Sequence, residues 1–441
     1  MMKPKNMPLL QRRAFSWREV DTYIPALMWL GISLAYALLC VAPFYAQWLY
    51  QQYTTDDISP LLASILGLLS VASVLFTPKN RRFSVGFFVG ILWFYWIPLG
   101  MRYFDMDLFI PIVIMLEGIF VGLVFYIGLW CECLPIRLLF LLLLSFLMPL
   151  GFDWIVLESV FAYSYIGVDK LSFAFVILAL WLLVKYQTWR KLIGILCLIL
   201  ACDWHGIMQD FSISMPLRIK LIQSDVKQDL SWRTEEMDFI FRKHIEDIAS
   251  AIESGYDVVV LPESAFYVPL DSVYFTHLDT LLSLSKKIVI ITGALRVEKS
   301  DDGSLSYFNS MLKIDNTNIS FYDKVLLVPF GEYLPSFLES FMNVFFQGIG
   351  GFSAGKEFGY FHIKGVDFKN AICYEGTNGR FYEDNPPFVM MISNNAWFVP
   401  SIEPILQKNL LKYYARIHKS VIYHASNRSA NAVITPNISP L

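Results

Sequence analysis

Through residue 204 the chain alternates long apolar runs with short basic or polar breaks. From about residue 210 the pattern changes to short apolar runs separated by polar, helix-periodic stretches. A helix that crosses a bilayer needs about 20 mostly apolar residues to cover ~30 Å of hydrocarbon. Seven runs meet or approach that length: Ile24–Ala46, Ile58–Thr77, Phe83–Met101, Leu108–Cys131, Cys133–Ile155, and the shorter Leu171–Tyr186 and Leu192–Trp204. The first is too long for a cleaved signal peptide, and further spans follow at once.

The second half reads differently. Asp257–Leu261 and Lys287–Thr292 are near-continuous apolar runs, as in strands buried on both faces. Thr234–Glu253, Leu278–Lys286 and Glu403–His418 have helical periodicity. Tyr307–Ile314 and Ile319–Val325 read as a hairpin with an Asn-rich turn, and further strands are expected at Ile219–Val226, Phe368–Ile372, Phe388–Ser393 and Val421–His424. The expected architecture is a membrane bundle of about seven helices over residues 1–209, then an α/β sheet sandwich with outer helices over 210–441.

Composition agrees with that division. The 441 residues are 56% hydrophobic and only 17% charged, with mean hydropathy +0.49. A balance of 35 basic to 38 acidic side chains gives −3, which excludes a basic field for nucleic acid. Cations concentrate on alternate connections: Lys3, Lys5, Arg12, Arg13 and Arg18 before the first run, Lys79, Arg81 and Arg82 after the second, and Lys185, Arg190 and Lys191 after the sixth. The positive-inside rule then puts the N-terminus in the cytoplasm, and an odd number of spans puts everything after Trp204 on the far side.

Five of the six cysteines, Cys40, Cys131, Cys133, Cys197 and Cys202, lie in or beside apolar runs and read as small packing residues. Cys373 alone lies in the polar half. It ends an apolar run and precedes Tyr374-Glu375-Gly376, so it is either an inert buried thiol or a nucleophile exposed on a sharp bend. Glu263 follows Val258–Pro262 just past a buried strand; it is either a cap or turn residue, or a desolvated base. Lys324 precedes another apolar run and is either a surface cation or part of a site. None of the six histidines lies in a metal or catalytic motif, and there is no HExxH. Phe337–Phe352, with Phe341, Phe345 and Phe346 among glycines, is either core or a flexible arm that guides acyl chains. Glu117, inside the fourth run, is an intramembrane carboxyl of functional interest.

The order Glu263, Lys324, Cys373 resembles the Glu-Lys-Cys triad of the nitrilase superfamily over roughly residues 218–436, and the preceding multi-span half resembles the apolipoprotein N-acyltransferase family within it. Supporting matches are Gly331-Glu332-Tyr333, Cys373-Tyr374-Glu375, Trp232 after Gln223 and Gln228, and Ser393-Asn394-Asn395-Ala396-Trp397-Phe398. Asn395 stands where the family carries Asp, and Val399 where Gly is commoner. The family usually carries one more membrane helix after this domain, and the sequence to Leu441 has no apolar run to supply it.

The resemblance implies a nitrilase-like α-β-β-α sandwich facing the periplasm of a bacterial inner membrane. It also implies a ping-pong acyl transfer without metal or organic cofactor. Glu263 would take the proton of Cys373, the thiolate would attack an acyl ester of a phospholipid, and Lys324 with nearby backbone N–H groups would stabilise the oxyanion. The α-amine of an S-diacylglyceryl cysteine at an apolipoprotein N-terminus would then take the acyl chain. Glu332 would orient Lys324 or the amine, with Tyr374, Glu375, Trp232, Asn394 and Trp397 in support. The alternatives are a membrane-tethered amidase that uses water as acceptor, and an inactive lipoprotein-binding module.

Overall fold

The computed structural model describes residues 17–54, 56–187, 189–229, 234–266, 268–269, 276–300, 303–329, 331–333 and 351–438. Helices come first: α1 (Trp17–Gln51), α2 (Pro60–Leu75), α3 (Arg82–Phe94), α4 (Ile110–Gly128), α5 (Leu134–Leu143), α6 (Lys170–Lys185), α7 (Arg190–Ala201) and the short α8 (Trp204–Met208). All seven apolar runs contain helix. By length and apolarity, however, among the described residues only Leu27–Gln51 and Asp107–Gly128 suffice to cross a membrane, or three spans if a bent pair counts as one.

Two runs depart from the expected single helices. Phe83–Met101 breaks after Phe94 and resumes as a 3₁₀ segment, Ile97–Phe104, at an angle of 53°. Pro98 sits in the first turn of that segment, where its missing N–H is harmless, whereas within one continuous helix it would remove a ladder bond. Cys133–Ile155 is helical only to Phe146. Pro149 and Gly151, the latter at φ +85°, turn the chain out of the helix. Trp154, Ile155, Val156 and Leu157 are then buried in one core with Tyr374, Phe381 and Leu411. Their apolarity serves contact with the sheets, not with lipid.

Ten strands follow. The first sheet runs β1 (Ile219–Leu221), β2 (Val258–Val260), β3 (Val289–Lys299), β4 (Leu305–Asp315), β5 (Asn318–Asp323). The second contains β6 (Tyr360–Ile363), β7 (Val366–Ile372), β8 (Phe388–Asn394), β9 (Val421–Asn427) and β10 (Ala432–Ile434), ordered β10-β9-β8-β7-β6. In each sheet three central or leading strands are parallel: β1-β2-β3 in one, β7-β8-β9 in the other. The β4–β5 hairpin closes through Asn316 and Thr317, both at positive φ, as a two-residue loop demands.

Alternation along the strands builds the layers. Val258 and Val260 face Ile372, Met390 and Ile392 between the sheets, while Val259 faces outward with Ile290. Helices α9 (Thr234–Glu253) and α10 (Leu278–Leu284) cover the outside of the first sheet through Phe241, Ile248 and Leu281. Helix α11 (Glu403–His418) covers the second through Leu410 and Leu411, and its far side packs into the core of the helical half. The layers are α-β-β-α, with α11 shared between the sheets and the bundle.

That shared helix is clamped by polar contacts. Arg416, 2% exposed, donates to the carbonyls of Phe161, Ala162, Ser164 and Ile166 and pairs with Asp203 at 2.8 Å. Lys408 pairs with Asp57 at 2.8 Å, and Asn409 donates to Ser159 O. The β8–α11 connection is held in turn by Arg102, which donates to Val399 O at 2.6 Å, and by Tyr103, whose hydroxyl donates to Ala396 O.

Candidate active site

The ends of β2, β5, β7 and β8 converge. Glu263 lies three residues past β2, in a turn that crosses β3 so closely that a Cβ on Gly293 would stand 2.5 Å from Ser264 N and 2.8 Å from Glu263 Cα. Only glycine fits that crossing. The Glu263 carboxylate is buried. Oε1 accepts from Asn309 Nδ2 at 2.7 Å and lies 3.8 Å from Lys324 Nζ, while Oε2 accepts from Asn394 N at 2.8 Å.

Lys324 directly follows β5 and is 1% exposed. Its Nζ is 2.8 Å from both carboxylate oxygens of Glu332. Glu332 also accepts from Asn309 Nδ2 at 2.8 Å and from Val328 N at 2.9 Å. The amide of Asn309, in β4, thus bridges the two carboxylates that flank the lysine. Burial opposes the charge on Lys324, but Glu332 and then Glu263 outweigh it and hold the pKa above its ordinary value. Burial raises the Glu263 pKa, and Lys324 pulls back against that rise.

Cys373 follows the last residue of β7 at φ +52°. A non-glycine residue pays ~1–2 kcal/mol for that left-handed backbone, and it turns the chain sharply off the strand. Burial raises the thiol pKa well above its ordinary value and Glu263 adds to this, while Lys324 counters. The resting sulfur is therefore a neutral thiol within the field of both partners. Gln407 Nε2 approaches Sγ at 3.9 Å, and Gln407 Oε1 accepts from Asn395 Nδ2 at 3.1 Å.

The bend after Cys373 is fixed by the next two residues. Glu375 is fully buried. Its Oε1 accepts from Tyr322 OH, Val325 N and Leu326 N, and its Oε2 accepts from Ile372 N, so it fastens the strand before the cysteine to the segment after Lys324. Burial pushes its pKa up to about 7. Tyr374 points the other way and donates to Asp153 Oδ1 at 2.7 Å in the helical half. Asn394 donates to Gln228 Oε1 at 3.0 Å and accepts from Asn427 Nδ2 at 2.8 Å. Trp397 stacks on Phe104 at 6.0 Å and meets Tyr103 edge-on, which places it against the bundle.

The structure therefore gathers Glu263, Lys324, Glu332, Glu375, Asn394 and Cys373 around one point. Tyr374 and Trp397 face the helices. Trp232, Phe337, Phe341, Phe345 and Phe346 lie outside the described residues. Among the described residues no group of three His, Cys, Asp or Glu side chains could hold a metal ion.

Comparison with known proteins decides the family. The model for the integral membrane domain of apolipoprotein N-acyltransferase matches residues 24–204. A protein of Helicobacter hepaticus named apolipoprotein N-acyltransferase is 65% identical over 399 residues, which is 90% of this chain and 99% of that protein. The chain belongs to the apolipoprotein N-acyltransferase family. A Wolinella succinogenes protein of the same name is 39% identical over 387 residues, 86% of this chain and 90% of its own length. Among solved structures, a CN-hydrolase superfamily protein from Xanthomonas campestris is 16% identical, covers 52% of this chain and 85% of that chain, and has a TM-score of 0.37. As a member of this family the chain is a membrane-integral acyltransferase.

Sequence reasoning did not single out Asn309, Gln407 or Glu403. Asn309 carries a signal, as a polar residue between Phe308 and the buried run Ser310–Leu312 of β4. Glu403 and Gln407 lie four apart on α11, on a face whose neighbours Leu406 and Leu410 are buried.

Proposed function

We propose that this chain transfers an acyl chain from a phospholipid, through a thioester on Cys373, to the α-amine of the S-diacylglyceryl cysteine at the N-terminus of apolipoproteins. The observation that carries this reading is a buried Glu263–Lys324–Glu332 cluster beside a bent-out cysteine, on sheets fused to a membrane bundle.

The steps follow from charge and reach. Glu263, made more basic by burial, takes the proton of Cys373 as the ester arrives. The thiolate adds to the ester carbonyl, and the fixed cation of Lys324 offsets the charge that develops on oxygen. Glu263 returns its proton to the departing lysophospholipid alkoxide. Glu332 holds Lys324 in place and keeps it charged. The acceptor amine then attacks the thioester, gives its proton to Glu263 and regenerates the cysteine. Water must lose to the amine, and a site docked on apolar helices favours that outcome. The aromatic segment with Phe341, Phe345 and Phe346 is assigned to guiding the acyl chain.

The same reading places about seven spans in a bacterial inner membrane. It takes 1–209 as the membrane domain and 210–441 as the carbon-nitrogen hydrolase-like domain, facing the periplasm. Lys/Arg asymmetry supports that orientation.

The test uses purified full-length protein, labelled phospholipid and a diacylated lipopeptide with a free α-amine. N-acylation that is lost in C373A, E263Q and K324M supports the proposal. Free fatty acid without amide assigns a hydrolase, and the absence of turnover assigns a binding module. A membrane-impermeant thiol reagent that reaches Cys373 only from the cytoplasmic face would overturn the orientation.

A further inference from the structure

Glu403 is the first residue of α11, and its side chain is 1% exposed. Its Oε2 is buried and has no hydrogen-bond partner among the described residues. Every other carboxyl around the cysteine is engaged: Glu263 with Asn309, Lys324 and Asn394 N, Glu332 with Lys324, Asn309 and Val328 N, and Glu375 with four donors. Native structures rarely leave a buried carboxyl oxygen unpaired, and one beside a reactive site asks for a catalytic role, an ion or a water to explain it.

Placement points to which ligand. Glu403 lies one turn before Gln407, whose Nε2 approaches Cys373 Sγ at 3.9 Å, and its charge is felt at both Glu263 and Cys373. A cation delivered to the sulfur would therefore find one unclaimed carboxyl oxygen on the helix that carries Gln407. In the acyl-transfer reaction the group delivered there is a primary amine.

We propose that Glu403 is the docking carboxyl for the acceptor's α-amine and holds it beside the Cys373 thioester for attack. The proposal rests on the acyl-transfer reading above and names its second substrate-binding residue. The pair has one composition whether it forms from ammonium and carboxylate or from amine and carboxylic acid. In its reactive form Glu403 carries the proton, an amine N–H donates to its other oxygen, and the nitrogen lone pair is free. The C–N bond forms at the thioester carbon, the C–S bond breaks with its electron pair returning to Cys373, and the second amine proton goes to Glu263. Burial, with Glu263 adding, pushes the Glu403 pKa up to about 8. The carboxyl can therefore hold a proton near neutral pH. The other groups in the field of Cys373 are Lys324, Glu263 and Glu332.

The two half-reactions separate this role from a structural one. Purified full-length E403Q and E403A are first incubated with phospholipid alone, and the Cys373 thioester is followed by mass spectrometry. A diacylated lipopeptide with a free α-amine is then added. The expected result is thioester formation within about twofold of wild type, and transfer reduced about 10- to 100-fold with a raised KM for the lipopeptide. Either variant that forms the thioester suffices, since the thioester reports a folded site. Equal loss of both half-reactions in both variants, or undiminished transfer, overturns the proposal. Wild-type protein that forms neither thioester nor amide would instead sink the acyl-transfer reading itself.

Discussion

The indole of Trp154 donates a 2.8 Å hydrogen bond to Thr377 Oγ1 and joins the non-helical end of the fifth apolar run to the turn that follows Cys373. Beside it, Phe152 stacks on Tyr374 at 5.6 Å, and the Tyr374 hydroxyl binds Asp153. The bend that presents the thiol is thus braced from the helical half. Within the sheets alone, Glu375 is the other brace.

Y374F tests the bracing. It removes the donor to Asp153 and leaves a buried carboxylate short of a partner, at a cost of about 1–3 kcal/mol. Thermal unfolding in detergent should show a lowered midpoint. The rate of Cys373 thioester formation should fall with it, because the bend loses one of its ties to the bundle.

N309D tests the bridge between Glu263 and Glu332. The substitution sets a third carboxylate 2.7–2.8 Å from two others. Like charges so close force protonation of one member, and the base function of Glu263 is lost. Thioester formation should drop about 100-fold or more, with the fold retained by circular dichroism.

The pH profile follows from the same carboxyl. Burial holds Glu263 above the ordinary glutamate value of 4.5. Its base form is present above that raised pKa and disappears as pH falls through it. The acid limb of thioester formation, measured from pH 4 to 8, should therefore lie above 4.5. A limb at or below 4.5 would remove Glu263 as the base.

R416M tests the clamp. Arg416 is buried, with four carbonyl acceptors and Asp203 around its guanidinium. Removing it leaves Asp203 without its cation and costs about 3–5 kcal/mol. Unfolding in detergent should shift by that amount. A change below 1 kcal/mol would mean that packing and the Lys408 and Asn409 contacts keep the helix docked without Arg416.

Sequence and structure agree where periodicity decides. Thr234–Glu253 and Glu403–His418 show an amphipathic repeat and form helices over those limits. The hairpin was legible because Asn316 tolerates the left-handed backbone of such a turn; β-branched Thr317 adopts it against its preference. Leu147–Tyr163 was not, because apolarity says that a residue avoids water without saying whether lipid or protein covers it. In the site, Glu263, Lys324 and Cys373 were legible because their order resembles the Glu-Lys-Cys triad of the nitrilase superfamily; each residue alone was ambiguous. Asn309 and Glu403 were not, since their significance lies in partners more than 20 positions away.

Helix α11 also sets a mechanical condition. Gln407, next to the sulfur, and Lys408, Asn409 and Arg416, fastened to the bundle, stand on one uninterrupted rod. The headpiece therefore has no swivel at this junction. A tilt of the transmembrane frame carries the thiol with it, and cutting away the bundle to obtain a water-soluble enzyme would leave this rod's Lys408, Asn409 and Arg416 without the groups that anchor it.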